Sequence, residues 1–174
     1  MRNPNFKISP YDALFNSYFE TNEAITDSVI RNEYGGNVGC SSVMVMIREN
    51  ELWCSWVGNA QAVLFRQNNE FVSLCQPHTL ENEEEAERLA DSNVMEVNGR
   101  KLVEGISVVT RALGCSHLAG KLICEPEIIS IDFQGNEEYL VFFFLLFLLF
   151  FAFLFFCFFF FFFFFFFFFF FFFF

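Results

Sequence analysis

Cys115 and His117 stand one residue apart, a thiol and an imidazole of the kind that a cysteine nucleophile and its base require. Those two roles are normally filled from separate elements that converge in space, so the pair reads as ordinary. Zinc is the next candidate chemistry. The six cysteines, Cys40, Cys54, Cys75, Cys115, Cys124 and Cys157, include no C-x-x-C arrangement, and His78 and His117 do not sit at ligand spacing from paired cysteines. No signal peptide opens the chain, and the thiols read as buried and reduced in an intracellular, cytoplasmic protein. The run from Glu81 to Glu87 collects carboxylates, but acids favour the positive end of a helix dipole. It reads as the solvated face of a short helix and not as a metal cluster. Asp12, Asp91 and Asp132 fall in a helix, at a helix end and at a sheet edge, where structural roles are expected. No catalytic, cofactor-binding or metal residue is nominated.

The elements that would position these groups follow from local pattern. Ser9 and Pro10 are an N-cap and a first helical residue, and Tyr11, Leu14, Phe15, Tyr18 and Phe19 recur at helical spacing as a core-facing stripe. That helix is expected to continue through Ile25 and Val29 toward Tyr34 and to break at Gly35-Gly36-Asn37. Val43 to Ile47 is an unbroken apolar run that suits a strand covered on both faces. Leu52–Val57 places Leu52, Cys54 and Trp56 on one side of a second strand, and Gln61–Arg66 and Phe71–Leu74 follow after short turns. An antiparallel meander of four strands is the natural reading. Asn98-Gly99 signals a type I′ hairpin between Met95–Val97 and Lys101–Val103. Further strands are expected near Ser107–Thr110, over Glu127–Asp132, and from Tyr139. Antiparallel strands with a few helices indicate an α+β, layered sandwich architecture.

Residues 142–174 differ in kind: 26 of these 33 residues are Phe. About 20 apolar residues cross a bilayer, so a single-pass membrane segment over 142–174 is one reading. As a helix the run would be roughly 50 Å long, against a hydrocarbon core of about 30 Å, and no Lys or Arg follows it to set an orientation. Aggregation as strands is a second reading. A third comes from the genetic code, since Phe codons and most Leu codons consist of pyrimidines alone. The low-complexity segment is then a translated pyrimidine tract, and residues 1–141 carry the domain.

The net charge of −11 lies entirely in those 141 residues, as 21 acidic and 10 basic side chains. An acidic balance without a basic stripe argues against a nucleic-acid surface. A membrane partner is expected only if the Phe-rich segment acts as an anchor.

The order of motifs resembles the metal-dependent protein serine/threonine phosphatases of the PP2C, or PPM, type. It is carried by Ala13-Leu14-Phe15, Gly39-Cys40-Ser41-Ser42, Val57-Gly58-Asn59-Ala60-Gln61-Ala62-Val63-Leu64, the Glu83–Leu89 helix, Asn98-Gly99, Thr110-Arg111-Ala112-Leu113-Gly114 and Glu125-Pro126-Glu127-Ile128. Within the family, Gln61–Leu64 and Arg111–Ser116 look most like the PP2C-like domain of the leucine-rich-repeat phosphatases that also carry a PH domain. The resemblance implies a β-sandwich flanked by helices and two Mg²⁺ or Mn²⁺ ions on aspartate oxygens. The ions activate a water that attacks phosphoserine or phosphothreonine in phosphoprotein substrates. It also implies Asp-Gly and Asp-Asn motifs that do not occur here, and Asp at the positions of Asn59 and Cys115. The chain is therefore expected to be a central fragment, truncated at both ends, that retains no metal and is inactive as written. A pseudophosphatase that serves as a binding or scaffold module, and a membrane-anchored PP2C-like protein, are the alternatives.

Overall fold

The computed structural model describes residues 9–30 and 38–143. The chain divides into two compact units, Met1–Phe142 and Phe143–Phe174. Only the first is described beyond a single residue, so the three readings of 142–174 lie, apart from Phe142 and Phe143, outside the described residues.

Helix α1 spans Pro10–Ile30. Ser9 caps it, its Oγ accepting the Asp12 N–H at 3.2 Å and its carbonyl the Ala13 N–H at 3.1 Å. The buried face is narrower than the aromatic stripe suggests. Ala13, Leu14 and Tyr18 are buried, while Tyr11 and Phe19 are exposed on either side of Phe15, the first stacked on it and the second tilted against it. Spacing at i and i+4 builds an aromatic ladder as readily as a core face. The expected extension toward Tyr34 falls outside the described residues.

Among the described residues eight strands follow, in two principal sheets and a hairpin. Strands β1 (Ser42–Arg48), β2 (Glu51–Val57) and β7 (Glu127–Asp132) form one antiparallel sheet in the order β1-β2-β7. Strands β3 (Gln61–Arg66), β4 (Phe71–Ser73) and β8 (Glu137–Phe143) form the second, in the order β4-β3-β8. The expected four-strand meander is thus cut in half: β1 pairs β2 and β3 pairs β4, but β2 and β3 belong to opposite sheets. The crossing occurs at Gly58, whose φ of 83° suits glycine and where a Cβ would lie 2.2 Å from Ser41 Oγ.

Leu52, Cys54 and Trp56 face inward from β2 and meet Ala62, Leu64, Leu74 and Cys75 from the other side. Val43, Val45, Ile129, Ile131 and Leu140 pack around them, and this is the sandwich core. The opposite side of β2 is covered by α1, where the Tyr18 hydroxyl donates to the Ser55 carbonyl at 2.9 Å. Strand β1 is not covered on both faces as its apolar run suggests. It is an edge strand, and Met44 and Ile47 are exposed.

A second apolar cluster, Leu80, Leu89, Val103, Ala112, Leu118 and Leu122, lies where helix α2 (Glu83–Arg88) meets strand β6 (Arg100–Val103). Strand β5 (Val94–Val97) pairs β6 through a two-residue turn in which Asn98 and Gly99 have φ of 53° and 74°, as the type I′ reading requires. Ser107–Thr110 forms no strand. Its backbone makes single bridges, Val103 with Ser107 and Thr79 with Val109. No helix among the described residues is long and apolar enough to cross a membrane.

Candidate functional site

Asn59 and Cys115, 56 positions apart in sequence, flank one short segment. Asn59 is half-buried in the turn between the sheets, where its Oδ1 accepts from Ser41 Oγ at 3.0 Å and its N–H donates back to the same oxygen at 3.2 Å. Cys115 lies against Gly39, where an added Cβ would sit 2.0 Å from Sγ. Leu113 and Cys40 exchange backbone hydrogen bonds of 3.0 Å in both directions, which holds the segment 39–41 against Leu113–Cys115. Burial pushes the Cys115 thiol up, away from thiolate. His117 is exposed on the turn Ser116–Leu118, and no hydrogen bond to Cys115 is made among the described residues. Asp12, Asp91 and Asp132 are all exposed.

A groove of about 400 Å³ opens beside Cys115, between α1 and residues 112–125. Asn22 and Thr26 line one wall and Gly114, Ser116, Cys124 and Glu125 the other. Among the described residues neither Lys nor Arg contributes to this lining, so these residues offer no cation for a phosphoryl group.

The strongest electrostatics lie elsewhere, in a cluster that the sequence did not reveal. Glu85, read as part of a solvated acidic face, is 1% exposed. Asn82 caps α2 by accepting the Glu84 N–H at 3.0 Å, and this start turns Glu85 inward together with Leu89. Arg111 donates to Glu85 Oε1 from Nε at 2.7 Å and also from Nη2, and Arg88 donates to Oε2 at 2.9 Å. Both arginines are further anchored on carbonyls, Arg88 on Thr110 and Lys121, Arg111 on Glu125. Burial alone would push the Glu85 carboxyl up, but the hydrogen bonds led by Arg111 prevail and hold it at about 2.

His78 completes the cluster and is fully buried. Its Nδ1 accepts the Gly58 N–H at 3.0 Å, which leaves the proton of the neutral ring on Nε2, facing Glu127 Oε1 at 3.2 Å. Burial, with the positive charge of Arg111 next, lowers its pKa to about 4. Glu127 is pushed up by burial, against the pull of Arg111, whose Nη2 lies 3.6 Å from Oε1.

His78, Glu85 and Glu127 bring three potential ligand atoms within 4.8 Å of one another. They do not fit Mg²⁺ or Mn²⁺. Both Glu85 oxygens already receive N–H groups, and a guanidinium stands between the two carboxylates where a cation would have to sit. The Nε2 of His78 offers a hydrogen and not a lone pair. At Asn59 and Cys115 the donors are a neutral amide and a protonated thiol, poor ligands for a hard dication. The cluster acts as an internal clamp that joins α2, β7 and the turn at Gly58.

A profile for Protein phosphatase 2C matches residues 2–143. Protein phosphatase 1E of Mus musculus is 28% identical over 142 residues, covering 81% of this chain and 19% of that protein. The solved structure of a C. elegans sex determining protein superposes with a TM-score of 0.69 at 22% identity, covering 81% of this chain and 34% of the other. That of the serine-threonine phosphatase 2C from Toxoplasma gondii gives 0.65 at 14% identity, covering 75% and 48%. At these identities the structures show a shared fold, in which helices pack with antiparallel sheets. The chain spans about a fifth of the length of the mouse and human Protein phosphatase 1E that it matches.

Proposed function

The chain belongs to the protein phosphatase 2C family, and from that premise we propose that it forms the central part of a phosphatase domain and does not hydrolyse phosphate esters by itself. The complete parent domain is read as one that removes phosphate from serine or threonine in phosphoproteins. The observation that carries the inactive reading is the state of Asn59 and Cys115. Both flank the Gly39–Ser41 segment, yet one is an amide committed to Ser41 and the other a thiol held protonated. The compact carboxylate pair, Glu85 and Glu127, has a guanidinium where a metal would bind. The domain is read as cytosolic, a compartment in which free thiols such as Cys40, Cys54, Cys75, Cys115 and Cys124 are the resting state.

Hydrolysis of p-nitrophenyl phosphate by the 174-residue chain in Mn²⁺ is the direct test. Background rates are expected, and turnover well above a metal-free control overturns the reading. A second reading, a pseudophosphatase used as a binding module, is favoured by the closed Asn59–Ser41 hydrogen bonds. Asp-Gly motifs in the reading frame on both sides of this chain would support a catalytic parent. Their absence from both sides would support the binding module.

A further inference from the structure

Strand β2 and the segment after β4 are laced together along a seam. Cys54 Sγ lies 3.6 Å from Cys75 Sγ, Trp56 Nε1 donates to the Gln76 carbonyl at 2.8 Å, and Gly58 exchanges two hydrogen bonds with His78. The links fall at alternate positions, two on β2 and one at Gly58 just beyond it, and run from the sandwich core to the turn that carries Asn59. Two of them are hydrogen bonds, while the first is a pair of free thiols that nothing above employs.

We propose that Cys54 and Cys75 form a dithiol modification site, which a peroxide-class oxidant closes to a disulfide joining the two sheets at the head of this seam. The sulfurs need approach only from 3.6 Å to about 2 Å, a shift within the reach of small χ1 adjustments. The two thiols are not equivalent. Either sulfur can donate in their 3.6 Å contact, and access to solvent is what separates them. Cys75 adjoins exposed Gln76 and retains 5% exposure, while Cys54 has none. Cys75 therefore reacts first and Cys54 resolves.

In the first step the Cys75 thiolate attacks one peroxide oxygen. The O–O bond breaks, hydroxide leaves and is protonated by solvent, and Cys75 becomes a sulfenic acid. In the second, the Cys54 sulfur attacks the Cys75 sulfur. The S–S bond forms, the S–O bond breaks, and the departing oxygen leaves as water with the Cys54 proton. Two thiols lose two electrons, and one peroxide becomes two waters. The bridge closes a loop across 21 positions, which constrains the unfolded chain and fixes the seam beneath Asn59.

The test treats the full 174-residue chain with hydrogen peroxide, blocks remaining thiols by alkylation, and maps peptides by mass spectrometry without reduction. A Cys54–Cys75 linked peptide is expected, lighter than the two thiol peptides by two hydrogens. An upward shift of the unfolding midpoint that reductant reverses should accompany it. Cys54→Ala and Cys75→Ala should each lose the shift, and Cys40→Ser should keep it. Recovery of Cys54 and Cys75 in alkylated form while Cys40 is oxidised would overturn the proposal. So would a bridge to Cys40, Cys115, Cys124 or Cys157 in its place. The peptide map of the unsubstituted chain decides even if an alanine variant fails to fold.

Discussion

The space between the two sheets and the space behind α2 are both closed to water, yet they are held in opposite ways. Between the sheets, Leu52, Trp56, Leu64 and Leu74 meet as apolar surface, joined by the thiols of Cys54 and Cys75. Behind α2 a carboxylate and two guanidiniums occupy the interior edge, beside an imidazole, and apolar residues only border them. Apolar burial is graded, so removing part of a side chain removes part of the stabilisation. A buried ion cluster depends on every partner being present, because a carboxylate left without its donors retains the full cost of desolvation.

The sharpest way to break this comparison is Arg111→Ala. It removes both hydrogen bonds to Glu85 Oε1 and the anchor to the Glu125 carbonyl. A loss of about 3–5 kcal/mol is expected in urea unfolding, the cost of stranding a buried charge. Replacing the pair together, Glu85→Leu with Arg111→Met, should recover part of it, since the fully buried carboxylate is then gone and the charges that lose a partner, Arg88 and Glu127, are the more exposed ones. If the double variant is as unstable as the single one, the cluster is not acting as an ion pair.

Leu64→Ala probes the other region. Leu64 is 2% exposed and faces the β2 side chains across the sandwich, so its loss leaves a cavity. About 3 kcal/mol is expected, within the usual range for such truncations. No second substitution should restore it except one that refills the volume. A loss near zero would mean that the sheets collapse onto the gap and are less rigidly packed than the seam implies.

The difference between the two regions also explains what was legible in the sequence. Alternation along Leu52–Val57 gives the inward face of β2 correctly, because period two is a local property of a strand. The Asn98-Gly99 hairpin is equally local and equally readable. The split of the meander at Gly58 is not, since Gly58-Asn59 is as compatible with a hairpin turn as with a passage between sheets. Glu85 escaped because its partner Arg111 lies 26 positions away, and an acidic run looks solvated until that partner is known. One signal was present, for Leu89 falls one helical turn beyond Glu85 and marks the same face as buried. Asn59 and Cys115 were singled out from the family resemblance alone. Their placement on either side of Gly39–Ser41 required the fold.

Acidification sharpens the comparison with a smaller effect, and here the sign is informative. His78 has a pKa of about 4 in the fold, below its ordinary 6.5, because of burial and then the Arg111 charge. Between pH 6.5 and 4 the unfolded chain takes up a proton that the folded chain refuses, so stability falls as pH falls, by about 3 kcal/mol from His78 alone. Glu127 works against this: burial raises its pKa, the folded state keeps its proton to higher pH, and acidification above pH 4.5 favours the fold. Glu85, held at about 2, contributes stability that is lost only between pH 4.5 and 2. Urea midpoints of the unsubstituted chain should therefore drop between pH 6.5 and 4.5 by less than the His78 figure. In His78→Gln, Glu127 acts without that opposition, so the slope in this window should flatten or reverse. A variant that keeps the original slope would place the titrating group outside the cluster. The apolar sandwich has no counterpart to this response, and Leu64→Ala should shift the whole profile downward without changing its shape.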